Sequence, residues 1–214
     1  MGRQKIKVNT NRHVIIYPVL KRVLDFVLSL LALVLLSPVF AIIAILIKKE
    51  DGGPVFFNQI RVGKDEKRFK MYKFRSMVVD ADARKQELMA KNEISGAMFK
   101  IKDDPRVTKI GRTIRKFSLD ELPQLLNVVQ GKMSLVGPRP PLIEEVAKYT
   151  PYDKQRLLVT PGCTGLWQAT ERNEASFDEM VQLDITYINN RSLWFDLKIL
   201  LLTIKVMLHP NGAY

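Results

Sequence analysis

The feature that most constrains this chain is an uncharged, apolar run of 22 residues, Phe26–Ile47. As one helix it would be about 33 Å long, and a bilayer's hydrocarbon core is about 30 Å thick, so its length permits a span. The pair Ser37-Pro38 interrupts the run near its middle. Proline has no N–H to bond the carbonyl of Val34, and a serine hydroxyl can bond a carbonyl one turn back, which bends a helix. Two structures are open: a kinked spanning helix, or a helix–break–helix that enters and leaves on one side.

The charges on either side of the run favour the second structure. Residues 1–22 carry six basic side chains and no acidic one, and Lys48 and Lys49 follow the run. Positive residues beside membrane segments prefer the cytoplasm, and a span would place one basic flank outside. Each arm, 26–37 and 38–47, is about 15–18 Å long, enough to reach mid-bilayer and return. The pattern favours a re-entrant segment, with the kinked span still open.

Composition limits the chemistry that the rest of the chain can carry. The net charge of +12 implies an anionic partner: nucleic acid, an anionic membrane surface or a phosphorylated substrate. The single cysteine, Cys163, excludes an internal disulfide framework and a Cys-cluster metal site. The two histidines, His13 and His209, lie near opposite termini, which argues against a Ser-His-Asp or Cys-His hydrolase and a His-rich zinc site. An enzyme built from this chain would depend on carboxylates, Lys, Arg and a hard cation.

Periodicity predicts an α+β chain that is mostly helical. Apolar and polar residues alternate on both sides of residues 64–66, which predicts a small β-hairpin. Residues 78–91 predict a solvated helix, and residues 177–188 predict an amphipathic one. The segment 193–208 is too short to span a membrane. It predicts either a helix in the headgroup region or a core helix.

A basic helix is predicted over residues 105–116, directly before the carboxylates Asp120 and Glu121. Its cations recur at three-residue spacing: Arg106, Lys109, Arg112 and Arg115. Such a row is most often a solvated face, but one that leads into a carboxylate pair is also suited to cradling phosphate. The two features predict phosphoryl chemistry at a membrane surface, with a carboxylate nucleophile, a cation clamp and bridging Mg²⁺. The sequence contains no Walker loop or kinase signature, which disfavours an ATPase or a protein kinase.

The start of the next helix offers a second interpretation of these carboxylates. Pro123 fits the first turn of a helix, which is then predicted to begin at 118–120. Its free N–H groups would attract phosphate and favour an ionised Asp120. Ser118 and Glu121 also match the capping-box pattern, which explains acidic residues at a helix start but not the cations before them.

At these residues the chain resembles the bacterial sugar transferases, a family of monotopic polyprenyl-phosphate phosphoglycosyl transferases. The resemblance runs from about Lys21 to Leu208, and its most specific part is the block at 98–140, MFKIKDDPRVTKIGRTIRKFSLDELPQLLNVVQGKMSLVGPRP. Shorter matching segments are KRVLD, the Ser37-Pro38 pair, GGPVFFNQIRVG, YKFRSM and TPGCTGLWQ.

The resemblance implies a reaction and its participants. A sugar-1-phosphate, expected to be a hexose phosphate, would pass from a UDP-sugar to undecaprenyl phosphate with release of UMP, starting exopolysaccharide or another glycoconjugate. Asp120 would attack the sugar-proximal phosphate and form a covalent phospho-sugar intermediate. Glu121 would be its dyad partner, and Mg²⁺ would lie close to both carboxylates.

Further site residues are implied by the same resemblance. Arg112 and Arg115 are expected to hold phosphate, and the KFR cations Lys73 and Arg75 are expected to line the site. The loop Pro138-Arg139-Pro140 is the one associated with the nucleotide. The sequence departs from the family's usual pattern at Glu171-Arg172, which leaves the identity of the sugar open.

The expected architecture has three parts. They are a basic N-terminal segment at 1–22, a re-entrant membrane helix at 23–49 and a catalytic domain at 50–214 with interfacial amphipathic helices. Ser37-Pro38 would be the membrane break that keeps the active site at the cytoplasmic face of the bacterial inner membrane. Membrane lipid is an expected partner, nucleic acid is not, and a homodimer is left open. The chain would be a minimal catalytic form.

Three alternatives predict different behaviour. A nucleotide-sugar glycosyltransferase could use the acidic motif Asp80-Ala-Asp82 and would release UDP instead of UMP. A membrane-tethered basic module would bind nucleic acid or anionic lipid and would tolerate loss of the Asp120 carboxylate. A domain placed outside the cell behind a spanning helix would not meet UDP-sugars.

Overall fold

The computed structural model describes residues 16–81, 83–85, 87–88, 101, 104–171 and 175–208. The α-helices are α1 Ile16–Leu35, α2 Ser37–Asp51, α3 Lys109–Lys116, α4 Gln124–Val129, α5 Ile143–Val146, α6 Leu166–Thr170, α7 Phe177–Asn190 and α8 Leu193–Leu208. The strands are β1 Phe56–Val62, β2 Arg68–Phe74, β3 Ser134–Val136 and β4 Gly162–Thr164. Short 3-10 turns lie at Lys64–Glu66, Ala83–Lys85, Leu119–Glu121 and Asp153–Leu158. The described chain is mostly helical with a small antiparallel sheet, as the periodicity predicts.

The strands β1 and β2 form the predicted hairpin. They pair antiparallel, from Phe56 opposite Phe74 to Val62 opposite Arg68. The connecting turn is tight because Asp65 and Glu66 both adopt positive φ, 54° and 59°. The hairpin therefore brings residues of the KFR segment beside elements that follow much later in the chain.

A second, parallel pair, β3 and β4, was not predicted from the sequence. Ser134 lies opposite Gly162, and Val136 lies opposite Thr164. The backbones approach so closely that a Cβ on Gly162 would lie 2.0 Å from the amide nitrogen of Gly137. Only glycine fits there, and the close approach fixes the start of the GPRPP loop against residues 160–162.

The apolar run is bent, and its break has the predicted chemistry. Helices α1 and α2 meet at Leu36 with a bend of 59°. The Ser37 hydroxyl donates a 2.8 Å hydrogen bond to the carbonyl of Val34, the group that Pro38 leaves without a backbone donor. The bend is shallower than a hairpin, and α1 begins at Ile16, well before the predicted arm. Among the described residues no single helix is long and apolar enough to cross a membrane, but the bent pair passes that test by length and composition.

The first arm is anchored to the body of the protein near its N-terminal end. Lys21 forms a 2.9 Å ion pair with the buried Asp196 of α8. Arg22 donates hydrogen bonds of 2.6 and 2.9 Å to the carbonyls of Val128 and Val129, at the C-terminal end of α4. The carboxylate of Asp25 accepts a 2.7 Å bond from Ser134 of β3.

The second arm is anchored to the same body near its C-terminal end. Glu50 accepts bonds from the first two amides of α3, at 2.7 Å from Lys109 and 3.1 Å from Ile110. Asp51 forms a two-pronged ion pair with Arg75, with both N···O distances at 2.5 Å. Both ends of the bent pair are therefore held by one body.

Helix α8 has two faces. One packs in the core, as one of the two predictions requires, and the other is exposed. Asp196 and Ile199 are buried, and Tyr187 of α7 donates a 2.7 Å hydrogen bond to Asp196. The opposite face is exposed and mostly apolar, with Trp194 76% accessible, and it also carries the exposed Lys198 and Lys205. Its other members are Leu197, Leu201, Ile204 and Leu208. The predicted helix at 177–188 is confirmed as α7, which starts with a capping box between Ser176 and Glu179.

Two predicted helices differ from what is observed. The described part of 78–91 contains only a short 3-10 turn at Ala83–Lys85, and Asp82 lies outside the described residues. The basic helix begins at Lys109, because Thr108 caps it by accepting a hydrogen bond from Gly111 at 2.9 Å. Arg106 therefore precedes the helix, where it is buried in an ion pair with Asp104 at 2.6 Å. The predicted row of four cations is not one helix face.

Candidate active site

Asp120 and Glu121 lie in a short turn between α3 and α4. Ser118 turns the chain with a φ of 55°, and its side chain does not cap the turn that follows. The capping-box interpretation is therefore wrong for this position. Helix α4 proper begins at Gln124, with Pro123 before it, so the carboxylates precede the helix instead of forming its first turn.

Asn127 of α4 docks this region onto the free edge of β2. Its buried side chain accepts a 3.0 Å hydrogen bond from the amide of Tyr72 and donates a 2.7 Å bond to the carbonyl of Lys70. One carboxamide thus satisfies two edge groups that lack a strand partner. The contact sets the distance between β2 and the Asp-Glu turn.

Lys73 meets Glu121 because of the strand periodicity of β2. Side chains at alternate positions share one face, and Phe69 and Met71 on that face pack against Val128 of α4. Lys73 is the next residue on that face, and its Nζ lies 2.6 Å from Oε1 of Glu121. This pairing joins residues 48 positions apart in the sequence.

The two carboxyl groups have opposite pKa shifts. Burial raises the pKa of Asp120 to about 6, the charge of Glu121 adds to this, and the charges of Lys73 and Arg115 oppose it. Burial would also raise the pKa of Glu121, but the charge and hydrogen bond of Lys73, together with the charges of Arg139 and Arg61, outweigh burial and lower it. Asp120 is therefore a carboxylate of raised basicity beside a firmly ionised partner, a separation typical of groups with different catalytic tasks.

The GPRPP loop places a second cation near these groups. Arg139 lies 3.1 Å from the carboxylate of Glu145, which is buried and also accepts a 2.7 Å bond from the amide of Leu142. Arg61 of β1 donates a 3.1 Å bond to the carbonyl of Pro140 and is itself buried. Arg61 was not predicted as a site residue, since an arginine in a strand carries no signal without its neighbours.

The guanidinium of Arg61 is buried near that of Arg139, which is an unusual arrangement for two positive charges. Burial, with the nearby charge of Arg139, lowers its pKa to about 9. Its Nε is buried and has no hydrogen-bond partner among the described residues. Two guanidinium groups that repel each other in this way create a strong positive potential, which an anionic ligand would relieve.

A cavity of about 430 Å³ opens onto these residues. Its polar wall contains Arg61, Lys73, Glu121 and Arg139, and Pro140 also lines it. Trp167 and Gln168 of α6 form another part of the wall, and α8 closes one side. Pockets of this size and mixed polarity take small-molecule ligands or cofactors.

Comparison with known proteins assigns the chain to a family. The family model described as "Bacterial sugar transferase" matches residues 16–210. The chain belongs to the bacterial sugar transferase family.

Individual relatives narrow the comparison. The chain is 51% identical over 194 residues to "Galactosyl transferase CpsE" of Streptococcus agalactiae, covering 90% of this chain and 43% of that protein. It is 45% identical over 199 residues to "Undecaprenyl-phosphate galactose phosphotransferase" of Salmonella typhimurium, with 91% and 42% covered. It is 41% identical over 198 residues to "Exopolysaccharide production protein ExoY" of Sinorhizobium fredii, with 91% and 88% covered. The chain thus spans less than half the length of the first two relatives.

The structure of this bacterial sugar transferase brings together some of the predicted residues. Lys73, Glu121, Arg139 and Pro140 line one cavity. Asp120 adjoins Glu121 and is buried, with 8% of its surface exposed, and it lies behind the wall without lining the cavity itself. Pro138 is buried and precedes Arg139 in the loop. These positions agree with a site built around the Asp-Glu pair, although the role of each residue stays a prediction.

Three predicted cations do not line the cavity. The guanidinium of Arg75 is engaged by Asp51 and by the carbonyl of Pro54 at 2.6 Å, so it fastens α2 to the hairpin. Arg112 is exposed on α3. Arg115 is half-buried and close enough for its charge to lower the pKa of Asp120, although Arg115 does not line the cavity. Only Arg115 of the three acts on the Asp-Glu pair.

The donor set at the site suits one type of metal binding. Among the described residues, no group of three or more His, Cys, Asp or Glu side chains could hold a metal ion. Mg²⁺ is commonly held by one or two carboxylates together with substrate phosphates and water. Asp120 and Glu121 fit that mode, in which the substrate completes the coordination.

Proposed function

We propose that this sugar transferase moves a sugar-1-phosphate from a UDP-sugar to undecaprenyl phosphate, producing an undecaprenyl-diphosphate sugar and UMP. The observation that carries the proposal is Asp120, a buried carboxylate with a pKa raised to about 6. It adjoins Glu121, whose ion pair with Lys73 lies on the wall of a cavity that two arginines also line. The printed name of the Salmonella relative, an undecaprenyl-phosphate phosphotransferase, supports the lipid acceptor. The name ExoY, an exopolysaccharide production protein, supports the pathway class.

The reaction proceeds in two displacements at one phosphorus atom. A carboxylate oxygen of Asp120 attacks the phosphorus that bears the sugar, and the bond from that phosphorus to the UMP oxygen breaks. UMP leaves with the electron pair, and the sugar phosphate remains on Asp120. A phosphate oxygen of the lipid acceptor then attacks the same phosphorus, and the bond to Asp120 breaks. Asp120 is regenerated as a carboxylate.

The neighbouring residues support these steps electrostatically. Lys73 keeps Glu121 ionised and in place, and it limits the rise in the Asp120 pKa, so that the nucleophile is ionised at neutral pH. Arg61 and Arg139 supply positive charge for the diphosphate of the donor. Mg²⁺, when bound by Asp120 and Glu121, would neutralise the charge that develops on the leaving phosphate.

The bent helix pair would place this chemistry at a membrane surface. The arms are about 30 Å and 22 Å long, from 20 and 15 residues, and the pair is bent by 59° from a straight line, which puts the break about 13 Å from the line joining their free ends. That depth is about one leaflet. Both ends are held by the same body, and the outer face of the pair is apolar and exposed, including Val27, Leu31 and Val34. We therefore propose a re-entrant, monotopic pair with the site on the cytoplasmic side.

Thiol labelling in intact cells tests this topology. A cysteine introduced at position 3, in a Cys163→Ser background, is expected to resist a membrane-impermeant maleimide until the cells are opened. A re-entrant pair leaves both basic flanks inside, whereas a span places the N-terminus outside. A second introduced cysteine, at exposed Lys64 in the hairpin turn, is the matched control for the catalytic side. Labelling of position 3 in intact cells, with protection of position 64, would establish a span.

The nucleotide product tests the reaction itself. The purified chain, given Mg²⁺, undecaprenyl phosphate and a panel of UDP-sugars, is expected to release UMP with at least one of them. Release of UDP would instead indicate the glycosyltransferase that uses Asp80 and Asp82. Asp80 gives that alternative little support, because its half-exposed carboxylate is paired with Arg84 at 2.6 Å. No UMP from any sugar would refute the proposal.

A further inference from the structure

We propose that the C-terminal half of α8 forms the exit for the isoprenoid chain of the lipid acceptor, with Ile204 at the point where the chain leaves the cavity for the membrane. This inference rests on the proposed function and assigns a tail site, which is separate from the residues that handle phosphate.

The cavity is lined by apolar residues as well as by charged ones. Five consecutive or near-consecutive positions of α8 line it: Leu200, Thr203, Ile204, Val206 and Met207. Leu122 and Leu125, which follow the Asp-Glu turn, also line it. A ligand that contacted both kinds of residue would have an anionic head near Lys73 and Arg139 and an apolar remainder along α8.

Ile204 belongs to two surfaces at once. It lines the cavity, and it is also 53% exposed as part of the outer apolar stripe of α8. That stripe repeats with spacings of three and four residues, from Trp194 to Leu208, which keeps it on one helix face. Cavity and outer surface are therefore continuous over the side chain of Ile204, although Lys198 and Lys205 are also exposed on the outer face of α8.

The occupant is identified by its two chemistries. A nucleotide-sugar is polar along its whole length and has no use for an apolar exit. A prenyl phosphate combines a phosphate with a long hydrocarbon chain, and such a chain cannot be enclosed in about 430 Å³. Most of it must lie outside the cavity, against an apolar surface in contact with lipid, and the outer stripe of α8 supplies one.

The wall that would guide the chain is firmly held. Asp196 near the start of α8 accepts hydrogen bonds from Tyr17 and Tyr187, at 2.8 and 2.7 Å. Further along, Thr203 is bonded to Thr164 of β4 at 2.8 Å. These contacts fix the rotation of α8, so that its cavity face and its outer face keep separate directions.

Paired substitutions on α8 test the exit. Ile204→Trp narrows the proposed path, whereas Leu201→Trp adds the same bulk to the same stripe at a residue that does not line the cavity. Both keep the surface apolar, so membrane association is matched. We expect Ile204→Trp to raise the KM for undecaprenyl phosphate by about tenfold or more, and Leu201→Trp to change it less than about twofold.

Two further measurements separate the tail site from the donor site. Single-turnover UMP release without an acceptor, which reports the donor alone, is expected to be unchanged in Ile204→Trp. With a short, two-isoprene phosphate acceptor, Ile204→Trp is expected to raise the acceptor KM much less than with the long acceptor, because little of the short chain reaches Ile204. If Ile204→Trp does not fold, Ile204→Glu is compared with Leu201→Glu by the same assays.

The outcomes are distinct. An unchanged acceptor KM in Ile204→Trp would overturn the inference. Equal increases of the acceptor KM in Ile204→Trp and Leu201→Trp would also overturn it, because they would show an effect on binding to the outer surface only. Slower donor-only UMP release would also overturn it, by assigning the apolar lining to the donor. Failure of the wild-type chain to release UMP at all would refute the proposed function, which is a separate result from any ratio between variants.

Discussion

Asp120→Asn is expected to reduce UMP release from a UDP-sugar by roughly 10³-fold or more, since the amide cannot form the covalent intermediate. The variant should still fold, because the side chain keeps its size. In the wild-type chain, UMP release should fall as the pH drops through about 6, where Asp120 becomes protonated. Single-turnover UMP release measured across pH, with denatured enzyme analysed for bound sugar phosphate, checks both expectations.

The same substitution is expected to stabilise the fold at neutral pH. The folded chain holds the Asp120 proton more tightly than the unfolded chain, so ionising this buried group opposes folding, and stability falls as pH rises from about 4 through 6. A neutral amide removes that penalty. We expect Asp120→Asn to raise the free energy of unfolding at pH 7 by about 1–3 kcal/mol, measured by urea unfolding in detergent. The gain should vanish at pH 4, where the wild-type carboxyl is protonated.

Asp80→Asn is the matched control for both measurements. Asp80 carries the same side chain in an exposed pair with Arg84, and pairs of this kind contribute little to stability. It should change neither UMP release nor unfolding appreciably. Comparable losses of activity in the two variants would show that the nucleophile has been assigned to the wrong part of the chain.

The largest loss of stability is expected from Asp184→Ala. Asp184 of α7 is fully buried and pairs with the guanidinium of Arg156, which is 3% exposed and also donates a 3.0 Å bond to the hydroxyl of Tyr149. Removing the carboxylate leaves a buried cation without its counter-charge. The free energy of unfolding should fall by about 3–5 kcal/mol in urea titrations at pH 7.

A double variant separates the lost charge partner from the lost packing. Arg156→Met combined with Asp184→Leu removes both charges and restores apolar volume, and it should recover most of the stability lost in Asp184→Ala. A double variant no more stable than the single one would mean that the packing and hydrogen bonding lost around Asp184, and not the unpaired charge of Arg156, account for the loss. Lys154→Met with Glu66→Leu, an exposed pair at 3.0 Å, should have little effect.

Local patterns predicted the elements whose causes are themselves local. The β1–β2 hairpin follows from alternation around a short turn, and the break in the apolar run follows from the missing N–H of Pro38 and the hydroxyl of Ser37. The prediction failed where a single side chain redirects the backbone. Thr108 starts α3 later than the basic spacing suggests, and the positive φ of Ser118 turns the chain after α3, so that the carboxylates form a separate short turn before α4.

The sequence by itself determined the apolar run, its break, the hairpin and the chemical types at the site. Tertiary structure alone decided that Lys73 rather than Arg75 meets Glu121, because Asn127 docks α4 on β2 near Lys73, whereas Arg75 lies beyond the end of β2 and pairs with Asp51. It also decided the raised pKa of Asp120 and the burial of Arg61, since both depend on water being excluded by distant segments. Periodicity describes neighbours along the chain, whereas desolvation and charge pairing depend on neighbours in space.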